Sequence, residues 1–115
     1  MTTQTILRKP LLKAEIGSRT VTAVDIREIT FEPGQETGRH LHPCTVVGYI
    51  AQGEAVLQVE GGELQVLPEG SAFHEPANAV IARFDNASAT KPMRFIAYYL
   101  LDGDQPLIEI LPARG

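Results

Sequence analysis

His40 and His42 form a His-x-His pair, and they are the residues of this sequence best suited to chemistry. They end the stretch from Gly34 to His42, which we expect to be extended. In a β-strand, residues two positions apart point to the same face, so both imidazoles can converge on one point. Convergent neutral imidazoles are good ligands for zinc, copper, iron and nickel. The pair therefore predicts a contact with a metal or with a small ligand.

Two imidazoles are an incomplete coordination set, because catalytic zinc and non-haem iron sites normally use three protein ligands. Glu75 is the most economical third ligand. It shares one strand face with Phe73, whose apolar side chain should point into the core. His74 then faces outward and is the lower-ranked substitute. It becomes the ligand if a bulge beside Pro76 reverses the alternation of faces.

Asp25 and Arg27 alternate with apolar residues on a long predicted strand. If they face a cavity, the arginine would select a ligand that carries a carboxylate. The alternative is that the two residues form a solvated face of an edge strand. The sequence leaves both interpretations open.

Short strands separated by turns must position these residues, since no stretch shows a 3.6-residue apolar period with helix caps. Such strands, at a spacing of roughly 8–12 residues, indicate an all-β sandwich or jelly roll. Gly61-Gly62 lies between two alternating runs and predicts a two-residue hairpin turn. We then expect positive φ at both glycines, with Val59 and Leu64 pointing into the core.

The histidine pair resembles the first motif of the cupin superfamily, which reads glycine, five residues, His-x-His, three or four residues, glutamate, six residues, glycine. The positions that match are Gly34, His40, His42 and Gly53. Val46, or Val47 with the longer spacing, stands at the position of the glutamate. The metal-binding glutamate of that motif is therefore absent.

A second cupin motif is also present in altered form, so that the resemblance covers roughly Thr20 to Leu101. Gly70 and Pro76 match it, Asn78 replaces a glycine and Ile81 replaces a histidine. Asparagine tolerates positive φ better than other residues with a side chain, so Asn78 can keep the turn. Ile81 cannot bind a metal.

The resemblance implies an all-β double-stranded β-helix, the jelly roll or cupin barrel, as one domain over residues 1–115 with the first ten as an arm. It also implies a barrel pocket whose predicted lining residues are Val46, Gly48, Phe73, Ile81 and Cys44. Many cupins bind one divalent metal. Here we expect zinc, iron, manganese or nickel, weakly held by His40, His42 and Glu75.

Composition excludes several other classes of protein. The chain has 115 residues and a formal net charge of −4, without a basic cluster that could follow a phosphate backbone. We therefore expect no nucleic-acid partner. The longest apolar stretch, Phe95 to Leu101, is too short to span a bilayer, and Met1 to Gly17 lacks the apolar run of a signal peptide. With a single cysteine, Cys44, a cytoplasmic protein is the default expectation.

The function that fits these observations best is small-molecule binding by a cupin domain, at a degenerate and metal-dependent His-x-His site. One alternative is a metal-dependent enzyme of the dioxygenase or lyase type, acting on a small organic acid or aromatic compound. Another is a metal-free sensor or structural dimer. A homodimer is expected in each case, since the stretch from Met93 to Leu101 is apolar on both faces and a small barrel can cover only one.

Overall fold

The computed structural model describes residues 5–114, which form nine β-strands and no helix. The strands are β1 Ala23–Phe31, β2 His40–Leu41, β3 Thr45–Gln52, β4 Ala55–Val59, β5 Gln65–Leu67, β6 Ala72–Glu75, β7 Ile81–Asn86, β8 Met93–Leu101 and β9 Glu109–Ile110. Between residues 5 and 114 there is thus no helix long and apolar enough to cross a membrane. The predicted all-β class is confirmed.

Two antiparallel sheets face each other, as expected for a jelly roll. One has the strand order β1-β8-β3-β6 and the other has the order β5-β4-β7-β2-β9. Strands that are neighbours in a sheet are often distant in sequence, as when β8 pairs with both β1 and β3. This arrangement confirms the predicted double-stranded β-helix.

The core lies between the sheets because the strands alternate between buried and less buried side chains. In β8, Met93, Phe95, Ala97 and Tyr99 are buried, whereas the residues between them are only half-buried. Phe84 and Phe95 pack with ring centroids 4.8 Å apart, in the range that favours aromatic pairs. These inner faces form the walls of the site described below.

The turn after β4 differs from the prediction. Gly61 has positive φ (84°), but Gly62 is not among the positive-φ residues of the described chain. The Gly62 amide donates to the carbonyl of Val59 at 2.8 Å, so the tight turn lies one residue earlier than expected. β4 and β5 do pair as an antiparallel hairpin, and Val59 packs against the core as predicted. The predicted turn position is wrong, and so is the prediction for Leu64, which is 47% exposed and lies before the start of β5 at Gln65.

Two turn residues with positive φ fix connections in the barrel, Asn78 beside the histidine pair and Gly53 at the far end of β3. Asn78 has φ 64°, as the replacement of a motif glycine requires, and its amide donates to the His42 carbonyl at 2.8 Å. Gly53 has φ 81° and approaches the backbone of the chain before β8 so closely that an added Cβ would lie 2.8 Å from the Pro92 carbonyl oxygen. A side chain at Gly53 would therefore separate the two segments.

Candidate metal centre

The two histidines enter the barrel from β2. His40 pairs with Ile81 of β7 on one side and with Ile110 of β9 on the other. His42 lies just beyond the end of this short strand. Their exposed fractions are 1% and 5%, so both imidazoles are removed from bulk water.

Backbone carbonyls fix the orientation of both rings. Nδ1 of His40 lies 2.7 Å from the Gly38 carbonyl oxygen, and Nδ1 of His42 lies 2.7 Å from that of Leu107. A carbonyl can only accept a hydrogen bond, so each Nδ1 carries the proton and donates it. In the neutral rings Nε2 then has a free lone pair. This is the arrangement by which metal-binding histidines are usually oriented.

Glu75 brings the third ligand atom to the same place. Its Oε2 lies 2.9 Å from Nε2 of His42 and 3.4 Å from Nε2 of His40. Glu75 is buried on the inner face of β6 together with Phe73, as the alternation of faces predicts. His74 lies on the opposite face of the strand and is half-buried. The structure thus brings together His40, His42 and Glu75, and leaves His74 outside the cluster.

With both imidazoles neutral, three hydrogen-bond acceptors meet without a donor between them. While both imidazoles are neutral, the buried Oε2 of Glu75 receives no hydrogen bond from the described part of the chain. Buried acceptors that face one another are unfavourable unless a cation lies between them. That cation can be a proton on a histidine or a metal ion.

The donor set and its spacing fit a metal ion. Ligand atoms about 2.1 Å from one metal, at tetrahedral or octahedral angles, lie roughly 3.0–3.4 Å from one another. The separations of 2.9 and 3.4 Å between Oε2 and the two Nε2 atoms are close to this range, and all three ligand atoms lie within 4.8 Å of one another. Two imidazoles and one carboxylate suit zinc, iron, manganese and nickel.

In the metal-free protein, Glu75 favours the protonated form of His42. Burial lowers the pKa of His42, but the hydrogen bond and charge of Glu75 outweigh burial, so the pKa lies above its usual 6.5. Burial raises the pKa of Glu75, but hydrogen bonds with His40 and His42 outweigh it, and the net pKa is lowered. Glu75 is therefore ionised at neutral pH, as a metal ligand must be.

The three ligand atoms face a cavity of about 240 Å³ between the sheets. Its polar lining residues are Thr37, His40, His42, Glu75 and Tyr99. Its apolar lining residues are Ile29, Phe31, Val46, Phe73, Phe84, Phe95, Ala97 and Ile108. The cavity is thus a mostly apolar chamber with one cluster of metal-binding groups in its wall.

Of the five residues predicted to line the pocket, Val46 and Phe73 do so. Ile81 is fully buried beside its strand partner His40 and packs in the core. At Gly48 an added Cβ would overlap the ring of Phe73, which fills the space on that side. Cys44 is buried beside a separate recess, and burial raises the pKa of its thiol. Ile81, Gly48 and Cys44 are not among the described residues that border this cavity.

Tyr99 is a cavity residue that reasoning from the sequence missed. Its ring centroid lies 5.8 Å from that of His42. Burial and the charge of Glu75 raise the pKa of Tyr99, so its hydroxyl remains a proton donor. Strand alternation could have indicated this position, because Tyr99 follows Ala97 by two residues and Phe95 by four, on the buried face of β8.

Asp25 and Arg27 lie on the same face of β1 as the cavity residues Ile29 and Phe31. They do not line the cavity, and Arg27 is bonded to Asp25 by two hydrogen bonds, of 2.9 and 3.2 Å. Arg27 is 56% exposed in its side chain. Its charge is already neutralised by Asp25, which favours the interpretation as a solvated pair.

Comparison with known proteins identifies the family. Residues 27–99 match the cupin domain family, and the chain belongs to that family. No curated protein sequence matches it.

Solved structures share the fold. A cupin-like protein from Thermotoga maritima has a TM-score of 0.68 at 23% identity, with 78% of this chain and 65% of that chain covered. The DMSP lyase DddQ from Ruegeria pomeroyi has 0.67 at 17%, covering 80% and 45%. Oxalate oxidase in complex with glycolate has 0.64 at 22%, covering 76% and 46%. This chain spans less than two thirds of each of these proteins, and the likeness concerns the fold alone.

Proposed function

We propose that the chain binds a divalent metal through His40, His42 and Glu75, and uses it to hold a small organic ligand in the apolar cavity. The observation that carries this proposal is the convergence of two imidazole Nε2 atoms and one carboxylate oxygen in the cavity wall. Side chains that served only as core would not leave buried acceptors facing one another.

Each residue has a defined task in this proposal. His40 and His42 donate through Nδ1 to backbone carbonyls and present Nε2 to the metal. Glu75 lowers the net charge of the site by one. The bound metal would act as a Lewis acid toward an oxygen of the ligand. The apolar walls exclude water, which strengthens the electrostatic interactions inside.

The metal should be held weakly. Three protein ligands leave positions open, and Val46 and Ile81 stand where the family motifs place a glutamate and a third histidine. Zinc, iron, manganese and nickel all suit the donor set, so cellular supply would decide among them.

A second candidate function is catalysis of the dioxygenase or lyase type on a small organic acid or aromatic compound. The observation that favours it is Tyr99, whose protonated hydroxyl lines the cavity near His42. A hydroxyl in this place can donate a hydrogen bond or a proton to a ligand held at the metal. One DMSP lyase and one oxalate oxidase share the fold. The two functions differ in whether a bound ligand is turned over.

We also propose that the chain acts as a homodimer. The outer face of the sheet β1-β8-β3-β6 exposes apolar side chains, among them Val24 at 50% and Ile26 at 61%. An exposed apolar face on a small protein indicates an interface.

We also propose that the protein is located in the cytoplasm.

The test of metal binding is the metal content of untagged protein, measured by mass spectrometry after loading with each metal in turn. We expect one metal per chain in the loaded protein, readily lost on dialysis against chelator. His42→Ala and Glu75→Gln should lose it, and His74→Ala should keep it because His74 lies outside the cluster. If wild type and Glu75→Gln take up equal amounts of metal, or neither takes up any, the proposal fails and the metal-free alternative replaces it.

A further inference from the structure

The charges and the shape of the cavity restrict the ligand further than the proposed function does. A divalent metal together with ionised Glu75 and two neutral imidazoles has a net charge of +1. Within residues 5–114, no lysine or arginine lines the cavity, and Glu75 is the one carboxylate that does. A single negative charge on the ligand therefore neutralises the site.

A second negative charge would find no partner in the wall. Beyond the metal-binding groups, the polar lining residues are Thr37 and Tyr99. The Thr37 hydroxyl already donates to the Phe84 carbonyl at 2.6 Å. On the cavity-side face of β1 the nearest cation, Arg27, is already held by both oxygens of Asp25. A buried unpaired charge is strongly unfavourable, so a dianion should be excluded.

The size and surface of the cavity define the rest of the ligand. Four phenylalanines, Phe31, Phe73, Phe84 and Phe95, form much of its wall. A dry apolar cavity of about 150 Å³ accommodates benzene. The volume here, about 240 Å³, has room for one ring and a small anionic group.

From these observations, and resting on the proposed function, we infer that the site selects monoanions with an apolar body of about one ring. The Tyr99 hydroxyl is the donor in the lining that remains available to the anionic group. Tyr99 is thus assigned as a residue that determines specificity. Its hydroxyl would hydrogen-bond the oxygen held at the metal, or the oxygen next to it.

Calorimetric titration of untagged, zinc-loaded wild-type protein with a panel of simple probes tests this inference. Benzoate should bind at least tenfold more tightly than acetate, which lacks the apolar body, and than benzamide, which lacks the charge. 4-Methylbenzoate should bind at least tenfold more tightly than terephthalate, which has a similar shape and a second carboxylate. The zinc content is measured before and after each titration, so that loss of metal to the probe is recognised.

Two variants test whether the residues that line the cavity determine this ligand selectivity. Tyr99→Phe should weaken benzoate binding about tenfold, as loss of a hydrogen bond to a charged group does, with zinc content unchanged. Ile29→Lys adds a cation to the lining and should shift the preference toward terephthalate.

The outcomes separate the two proposals. Zinc uptake combined with affinities that agree within threefold across the wild-type panel would overturn this inference and leave metal binding standing. Benzoate binding that is equal with and without zinc would also overturn it. A protein that takes up no metal contradicts both proposals.

Discussion

At the scale of single residues, Glu75 and His42 act as one titrating pair in the metal-free protein. The raised pKa of His42 contributes stability that is complete below its usual 6.5 and is lost as pH rises through the folded-state pKa. The lowered pKa of Glu75 contributes stability that is present above its usual 4.5 and is lost as pH falls. The pair therefore stabilises the fold most between pH 4.5 and 6.5.

Glu75→Gln should make this dependence visible in protein kept free of metal by chelator. Near the middle of that pH range the variant should lose about 1.5–3 kcal/mol of unfolding free energy, because a charge-assisted hydrogen bond is removed. At clearly alkaline pH the neutral amide can donate to an imidazole nitrogen, so the variant should equal or exceed the wild type. Urea denaturation at both pH values measures the difference, and parallel pH profiles for the two proteins would contradict the assignment.

The residues of the candidate centre were predictable to the extent that strand alternation decides them. His40 and His42 share a face by spacing alone, and Phe73 indicated which face of β6 carries Glu75. Alternation could not separate lining from core, however. Ile81 and Val46 both point inward, but only Val46 reaches the cavity surface, because Ile81 is covered by its neighbours. That distinction depends on the packing of both sheets.

At the scale of the strands, register explains how a site without the motif glutamate still has a carboxylate. Val46 of β3 lies directly opposite Glu75 of β6. Side chains at directly opposed positions share a face, with Cβ atoms about 4.5–5.5 Å apart. A carboxylate at either position can therefore reach the same histidine nitrogens. Sequence comparison with the motif alone shows the loss at Val46 but not the replacement on the neighbouring strand.

Exchanging the two side chains tests this register. Glu75→Val alone should abolish metal uptake. The double variant Val46→Glu/Glu75→Val should restore it, because it moves the carboxylate from β6 to the directly opposed position on β3. Metal content after gel filtration is the measurement. If the double variant binds no more metal than Glu75→Val, a carboxylate on β3 cannot act as the metal ligand. Restoring both motif positions, with Val46→Glu and Ile81→His, should tighten binding further.

The turn between β4 and β5 offers a matched pair of substitutions. Gly61 has φ +84° with open space around it, whereas Gly62 lies outside the left-handed region. Gly61→Ala should cost about 1–2 kcal/mol of unfolding free energy, because residues with a Cβ disfavour that backbone region. Gly62→Ala should cost less. Its added Cβ would lie 3.2 Å from the Val59 carbonyl oxygen, so that the backbone needs to shift only slightly. Equal losses in thermal or urea denaturation would contradict this account of the turn.

The strands themselves could be predicted from the sequence more reliably than their connections. β8 is the clearest case, because its apolar length and its flanking turn residues are local features. The position of the tight turn at Gly61 was misjudged by one residue. Two adjacent glycines both permit positive φ, and only the pairing of β4 with β5 decides which of them adopts it.

At the scale of the whole molecule, the two faces of the sheet β1-β8-β3-β6 differ in how they are covered. The inner face packs in the core. Against the outer face lies an apolar groove of about 540 Å³. The residues that line it include Leu11, Leu12, Ala14, Ile16, Val47, Tyr49, Tyr98 and Leu100. Nearer the N-terminus, Ile6 and Leu7 are 70% and 89% exposed. We expect a second copy of the chain to cover part of this apolar surface.

We therefore predict a homodimer built on this sheet, with β1 at its centre because β1 is an edge strand and exposes Val24 and Ile26 on its outer face. Long unprotected edges tend to pair with another chain, and a two-fold axis lets one patch meet its own copy. Light scattering of wild-type protein at micromolar concentration should give twice the chain mass. Ile26→Asp should give the monomer mass, because it places a charge in the interface, whereas Gln65→Asp on the opposite sheet should leave the dimer intact. A monomeric wild type, or an Ile26→Asp variant that stays dimeric, would place the interface elsewhere or exclude it.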